Sequence, residues 1–133
     1  MPTRAQMSAA EKRKRDNTDL MCAALEGNTE VVKALQGQDV NATNNEGRTA
    51  LMFAVINMHT DTVKALLDLG ADVNVRAEDG GTALMLAASC GDEGIVRLLL
   101  DKGADVSGRY IATGQTAADL AAEKGYTAIV QLL

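Results

Sequence analysis

The side chains that could serve as nucleophiles, proton carriers or metal ligands are few and widely spaced. The 133-residue chain holds one histidine, His59, and two cysteines, Cys22 and Cys90. Neither a zinc site nor a Ser–His–Asp arrangement has enough parts with one histidine and no Cys–Cys or Cys–His cluster. No glycine-rich loop followed by Lys and Ser or Thr is present to hold a phosphate. We therefore expect a non-enzymatic protein without a cofactor or a metal.

Three near-copies of one phrase dictate where the other side chains lie. The phrases open with Thr-Ala at Thr49, Thr82 and Thr116, in steps of 33 and 34 residues. A second phrase, Gly-Ala-Asp-Val, begins at Gly70 and again at Gly103, 33 residues later. A period in the thirties indicates stacked units, because one such unit cannot bury its apolar face alone.

These phrases resemble the ankyrin repeat, in which a finger-like turn precedes an inner helix and an outer helix. The resemblance implies an all-α solenoid of stacked helix-turn-helix units with finger-like β-turn loops. The first unit is a degenerate N-terminal cap that is two residues short. The expected divisions are a basic lead-in at 1–15 and a repeat domain at 16–133, with units at about 16–43, 44–76, 77–109 and 110–133.

Helix starts and stops can also be read from the phrases. The three threonines that open the inner helices are predicted N-caps, whose hydroxyls accept from unpaired backbone N–H groups. Glycine is expected to end three inner helices in a left-handed conformation, at Gly27, Gly91 and Gly125. The second unit has Met58 at this stop, and a left-handed methionine there should cost about 1 kcal/mol.

Methionine replaces the usual histidine of the repeat phrase in three units, at Met21, Met52 and Met85. Two interpretations stay open. The methionines either fill the core between units or form an adaptable binding stripe, and we favour the core because a flexible thioether fills irregular gaps. His59, at the start of an outer helix, is expected to be structural.

Charge is distributed unevenly along the chain. Residues 1–15 hold five Lys or Arg and one Glu, a net charge of +4, whereas the remaining 118 residues carry 8 basic and 17 acidic side chains, a net charge of −9. The acidic body argues against nucleic acid as a ligand, because phosphate contacts need clustered Lys and Arg. The run Lys12–Arg15 has two interpretations: a localisation signal or nucleic-acid arm, or a solvated helical lead-in.

The sequence also gives expectations about compartment. No apolar run approaches the roughly 18 residues of a membrane span, and no secretory pattern opens the chain. We expect a cytoplasmic protein, or a nuclear one if Lys12–Arg15 is a localisation signal. Cys22 and Cys90 fall in different units, so no disulfide is expected between them.

The resemblance implies a partner protein bound on the concave surface formed by the finger tips and the exposed side of the inner helices. The inner helices contribute one pair of residues from each unit to this surface: Leu25 and Glu26, Ile56 and Asn57, Ser89 and Cys90, and Glu123 and Lys124. The residues predicted to contact the partner are Arg48, Arg76, Glu78, Asp79, Arg109, Tyr110, Ile111 and Gln115.

The last finger is one residue longer than the others, and the most specific predictions concern its residues. Arg76 and Arg109 occupy equivalent positions in successive fingers, so their guanidinium groups should lie side by side and grip carboxylates. Tyr110 and Ile111 are either apolar binding groups at the tip, or Tyr110 folds back over the last unit. Both interpretations of Tyr110 stay open.

The sequence leaves two further functions open. The chain is alternatively a recruiting or targeting subunit that uses its basic arm, or an inhibitor that blocks an enzyme with the long finger.

The apolar residues Leu132 and Leu133 end the sequence where a following unit would cover them. Either the chain is a fragment of a longer array, or this end self-associates with a second copy.

Overall fold

The computed structural model describes residues 17–35 and 37–133, and over these it contains eight helices and no strand. The predicted basic segment at 1–15, with Lys12–Arg15, lies outside the described residues. Inner and outer helices alternate along the chain. They are α1 (Asp19–Glu26), α2 (Thr29–Ala34), α3 (Ala50–Ile56), α4 (Thr60–Asp68), α5 (Ala83–Cys90), α6 (Glu93–Asp101), α7 (Ala117–Glu123) and α8 (Thr127–Leu132).

The helices stack in two rows, as the repeat pattern predicts. Inner helices α1, α3, α5 and α7 pack on one another in order, and so do outer helices α2, α4, α6 and α8. The inner helices contact their neighbours more extensively than the outer helices do. The array is therefore tighter along its inner row, which is the row that adjoins the fingers.

Threonine caps begin all four inner helices, which confirms the three predicted caps. The hydroxyl of Thr49 accepts from the Met52 N–H at 3.4 Å, and that of Thr82 accepts from the Met85 N–H at 3.3 Å. Thr116 caps α7 in the same way. Thr18, which the sequence analysis did not single out, caps α1 by accepting from the Met21 N–H at 3.1 Å.

The core between the units is built from aliphatic and thioether side chains. Met21, Met52 and Met85 are each 1% exposed, next to fully buried leucines of the same inner helices. A side chain with so little exposed surface has no area left for a partner. The core interpretation of these methionines is confirmed, and the binding-stripe interpretation is wrong.

Side chains in the turns after the outer helices also tie the units together. Asn74 donates from Nδ2 to the carbonyl of Gly103 at 3.2 Å and accepts at Oδ1 from the Asp105 N–H at 2.8 Å. Asn41 makes the corresponding pair of bonds one unit earlier. The carboxylate of Asp72 accepts from the Asn74 N–H at 2.9 Å, which holds the turn in place.

Two aromatic rings lie directly on glycine stops of the preceding unit. A Cβ placed on Gly27 would lie 2.5 Å from Nδ1 of His59, and one placed on Gly91 would lie 2.6 Å from Cζ of Tyr126. His59 also contacts the Leu25 carbonyl through Nε2 at 3.1 Å. The only histidine of the chain is thus a packing group between units, as expected.

Replacing Met58 with glycine is expected to raise the free energy of unfolding by about 1 kcal/mol, because Met58 is left-handed with φ 56°. Its side chain is 52% exposed, so little packing is lost. Urea unfolding measures the change. Met58→Ala is the matched control, since it trims the side chain but keeps a left-handed residue with a Cβ. Equal stability of the two variants would show that the left-handed backbone carries no cost here.

The last inner helix is stabilised by a reciprocal cap that involves Asp119. The Asp119 carboxylate accepts from the Thr116 N–H at 3.0 Å, while the Thr116 hydroxyl accepts from the Asp119 N–H at 3.2 Å. Hydrogen bonds from the backbone and then the side chain of Thr116 lower the pKa of Asp119. The stability that this carboxylate adds is therefore present above its unfolded pKa and is lost as pH falls through its folded pKa.

We expect Asp119 to titrate below the ordinary aspartate value of about 3.9, as measured by carboxyl carbon chemical shifts across an acid titration. Thr116→Ala, which removes the hydroxyl, should move the pKa of Asp119 upward. A titration of Asp119 at or above the ordinary value would show that the reciprocal cap does not form in solution.

Candidate protein-binding surface

Three fingers project beside the inner helices, and each is closed by its own backbone hydrogen bonds. We call residues 44–48 the first finger, 77–81 the middle finger and 110–115 the last finger. In the middle finger the Ala77 N–H donates to the Gly81 carbonyl and the Gly80 N–H donates to the Ala77 carbonyl, both at 2.9 Å. Gly80 is left-handed with φ 85°, which closes the tight turn at no steric cost.

Neighbouring fingers are joined by backbone bonds in a constant register. The Glu78 N–H donates to the Glu46 carbonyl at 3.0 Å, and the Ile111 N–H donates to the Asp79 carbonyl at 2.9 Å. Each bond joins positions 32 residues apart, so the extra residue of the last finger does not disturb the register. It is accommodated in the loop that the Gly114 N–H closes by donating to the Tyr110 carbonyl at 2.8 Å.

This register aligns one exposed side chain from each finger. Asn45, Glu78 and Ile111 are the second residues of the three fingers, and all three are exposed to solvent. Ile111 is 74% exposed, a large apolar side chain with little protein around it. We call these three residues the finger row. Two of them, Glu78 and Ile111, are residues that the sequence analysis predicted to contact the partner.

The two arginines of the predicted site are held by finger backbone. Arg76 donates from Nη2 to the Arg109 carbonyl at 2.9 Å, and Arg109 donates from Nη1 to the Gly114 carbonyl at 3.1 Å. Arg76 therefore donates to the residue that precedes the last finger, and Arg109 donates to a residue within it. Both residues remain exposed, so their other donors face solvent. The prediction that they grip a partner's carboxylates stays a prediction.

Two other predicted residues bond to carboxylates of this chain. Nε of Arg48 lies 3.4 Å from the Glu46 carboxylate, within the first finger. Gln115 donates from Nε2 to the Glu123 carboxylate at 2.8 Å and so links the last finger to the end of α7. These contacts fix the orientation of Arg48 and Gln115, which lowers the entropy cost of a further contact with a partner.

Tyr110 does not stand at the tip of its finger. Its ring lies against the middle finger, where a Cβ on Gly81 would be 2.9 Å from Cε1 of the ring. The side chain is half-buried and packs against the core. Burial, and then the charge of Asp79, raises the pKa of the Tyr110 hydroxyl. Tyr110 is therefore neither an apolar group at a solvent-facing tip nor folded over the last unit, because its ring packs on the middle finger of the preceding unit. Ile111 provides the apolar tip of the last finger.

A cavity of about 330 Å³ opens where the first finger meets the inner helices. Its apolar lining comes from Leu25 of α1 and from Phe53 and Ile56 of α3. Its polar lining comes from the segment before α1 and from the first finger, namely Asn17, Asn44, Asn45, Glu46 and Arg48. Leu25 and Ile56 were expected on the concave surface, so two of the three apolar lining residues lie where the resemblance places them.

Sequence reasoning missed Phe53 and Asn17. Phe53 is the only phenylalanine of the chain and stands where the two following units have Leu86 and Leu120, and that singular substitution was the available signal. Asn17 accepts from Nδ2 of Asn44 at 2.9 Å, which pins the base of the first finger to the segment before α1. No periodicity points to Asn17, because it precedes the first repeat phrase.

The described residues offer little chemistry other than binding. Among them, no group of three or more His, Cys, Asp or Glu side chains is placed to hold a metal ion. No disulfide joins Cys22 to Cys90, as expected. Burial raises the pKa of the Cys90 thiol, which leaves less thiolate at neutral pH. No helix in the described part of the chain has the length and apolar character needed to cross a bilayer.

Comparison with known proteins agrees with the stacked architecture. A family model described as "Ankyrin repeats (3 copies)" matches residues 5–77, 20–110 and 71–133. The comparison with curated proteins gave no match. The overlapping matches run through all eight helices and the three fingers described above. The chain belongs to the ankyrin-repeat family, whose repeats are helical modules that generally bind other proteins.

Proposed function

We propose that this protein is a non-catalytic binding module whose concave face, made of the finger row and the exposed side of the inner helices, holds a partner protein. The observation that carries the proposal is the alignment of Asn45, Glu78 and Ile111 on fingers that are joined to one another by backbone bonds. A surface that is fixed before binding loses little conformational entropy when a partner docks.

The chemistry of the surface also supports protein binding over binding of a small metabolite. The finger row presents an amide, a carboxylate and an apolar side chain in one line, beside a cavity with an aromatic side chain in its lining. Binding energy at protein interfaces concentrates where apolar anchors are surrounded by polar groups that exclude water. The exposed isoleucine is such an anchor, because burying it would recover a large fraction of its hydrophobic transfer energy.

The experiment uses the full chain as bait in lysate from its natural source, with retained proteins identified by mass spectrometry. A groove variant carries Asn45→Ala, Glu78→Ala and Ile111→Ser. Its matched control carries Gln131→Ala, Asp68→Ala and Val31→Ala, which are an amide, an acid and an apolar residue exposed on the outer helices. Both sets spare the buried core.

We expect one or more proteins to be retained by the wild-type chain and the control but lost by the groove variant, with affinity reduced at least about tenfold. Equal retention by all three chains would place binding elsewhere. A chain without residues 1–15 completes the set: loss of the partner in that chain alone would favour the basic arm as the binding element.

A further inference from the structure

The cavity beside the first finger shares two lining residues with an acidic depression on the neighbouring finger. The depression measures about 140 Å³ and is lined by Glu46, Arg48, Glu78 and Asp79. Glu46 and Arg48 also line the larger cavity, so the two hollows share a wall. Apolar lining and carboxylates thus lie side by side across the first two fingers.

The charges of this region do not cancel. Three carboxylates face one guanidinium group, and Arg48 already pairs with Glu46 at 3.4 Å. Asp79 accepts from the Gly81 N–H at 2.9 Å, which orients its carboxylate without neutralising it. Among the described residues, none forms an ion pair or hydrogen bond with the side chain of Glu78, which is exposed. The side chains that line the depression therefore carry a net charge of −2, from three carboxylates and one guanidinium group.

We infer that the occupant of this joint hollow is a peptide segment of a partner protein in which one large apolar side chain is flanked by Lys or Arg. The apolar side chain enters the cavity between Leu25, Phe53 and Ile56. The volume of this cavity exceeds that of a single leucine or phenylalanine side chain. The flanking cations lie over Glu78 and Asp79. This inference rests on the proposed function and adds the chemistry of the partner to it.

Charge complementarity selects this occupant over an acidic one. An acidic segment would face three carboxylates in a hollow, where the partial loss of solvent strengthens like-charge repulsion. An uncharged apolar segment would fill the cavity but would leave Glu78 and Asp79 partly desolvated and unpaired, which is unfavourable. A segment with an apolar side chain and flanking basic side chains fills the cavity and also pairs with Glu78 and Asp79.

The test starts from a phage-displayed library of random peptides of about twelve residues, selected on the full chain at low salt. We expect the enriched peptides to share one large apolar residue with Lys or Arg close to it. Their affinity for the chain is then measured by fluorescence polarisation. It should fall as salt rises, because exposed charge pairs are screened.

Two variants locate the binding of the enriched peptide. Glu78→Gln with Asp79→Asn keeps the side-chain shapes and the acceptor for the Gly81 N–H but removes both charges. Asp68→Asn with Asp101→Asn makes the same change in net charge on exposed residues at the ends of α4 and α6. We expect the first pair to weaken binding about threefold to tenfold and to flatten the salt dependence, and the second pair to change affinity less than about twofold.

A third variant, Ile56→Ala, tests the cavity, and it should weaken the same peptide at every salt concentration. The inference is overturned if the enriched peptides lack basic residues, or if the two charge-removing pairs weaken binding equally. It is also overturned if the chain dimerises and loses the dimer with Glu78→Gln and Asp79→Asn, because the occupant is then a second copy. Acidic or neutral peptides that lose binding in the groove variant would contradict the partner chemistry but leave the proposed function intact.

Discussion

Replacing Gly80 with alanine is expected to lower the free energy of unfolding by about 3 kcal/mol. Gly80 has φ 85°, where a residue with a Cβ costs about 1–2 kcal/mol. A Cβ at this position would also lie 2.5 Å from the carbonyl oxygen of Arg109. Since that oxygen belongs to the backbone, the segment that leads into the last finger has to move.

The movement disrupts bonds that hold the two fingers together. The Arg109 carbonyl accepts from Nη2 of Arg76 at 2.9 Å, and the next residues of the last finger are joined to Asp79 by the Ile111 N–H at 2.9 Å. Each net hydrogen bond contributes about 1 kcal/mol, so their loss adds to the cost of the left-handed alanine.

Gly70→Ala is the matched control for this prediction. Gly70 is left-handed with φ 91°, but a Cβ there has no neighbour within 4 Å. Gly70→Ala should therefore lower the free energy of unfolding only by the backbone contribution of about 1–2 kcal/mol. Denaturant unfolding of both variants measures the difference. Equal losses of stability in the two variants would mean that the contacts between the middle and last fingers contribute nothing to stability.

Replacing Leu84 with alanine is the second change with a large expected effect, a loss of about 3 kcal/mol within the usual range of about 2–5 kcal/mol for buried leucines. Leu84 is 1% exposed in α5, which packs against α3 on one side and α7 on the other. The void that the substitution leaves in the core therefore weakens two interfaces between units. In a solenoid, stability depends on contacts between neighbouring units, so a central defect also reduces cooperativity.

The control for Leu84 lies on the same helix. Leu86 is only partly buried, so Leu86→Ala removes the same atoms from a site with less protein around it. Circular dichroism during denaturant unfolding should show a larger loss of stability, and a broader transition, for Leu84→Ala. A loss of under about 1 kcal/mol for Leu84→Ala would contradict the account of the core.

Much of the fold could be predicted because each helix boundary is marked by one residue with a local physical role. Thr49 and Thr82 supply hydroxyls for unpaired N–H groups, and Gly91 adopts a left-handed stop, whatever the surrounding sequence. The left-handed Met58 was foreseen for the same reason, since the period places a stop there. Burial of the methionines followed from their place between stacked inner helices.

The site was less predictable because it depends on how fingers orient their side chains. Repeat spacing gave Arg76 and Arg109 equivalent positions, but it could not show that the guanidinium group of Arg76 bonds to the Arg109 carbonyl. Similarly, the ring of Tyr110 packs on the middle finger because Gly81 leaves room for it, which is a contact between different fingers. The cavity was hidden because Phe53 joins it through packing of α3 against α1.

Site-specific photo-crosslinking in lysate from the natural source tests whether a partner protein lies on the concave face. A benzophenone amino acid is placed in turn at Asn45 and Ile111 in the finger row, and at Lys33 and Lys64, which are exposed on α2 and α4. We expect the same protein to be crosslinked from both finger positions and from neither outer-helix position. Crosslinks only from Lys33 and Lys64, or equally from all four positions, would contradict it.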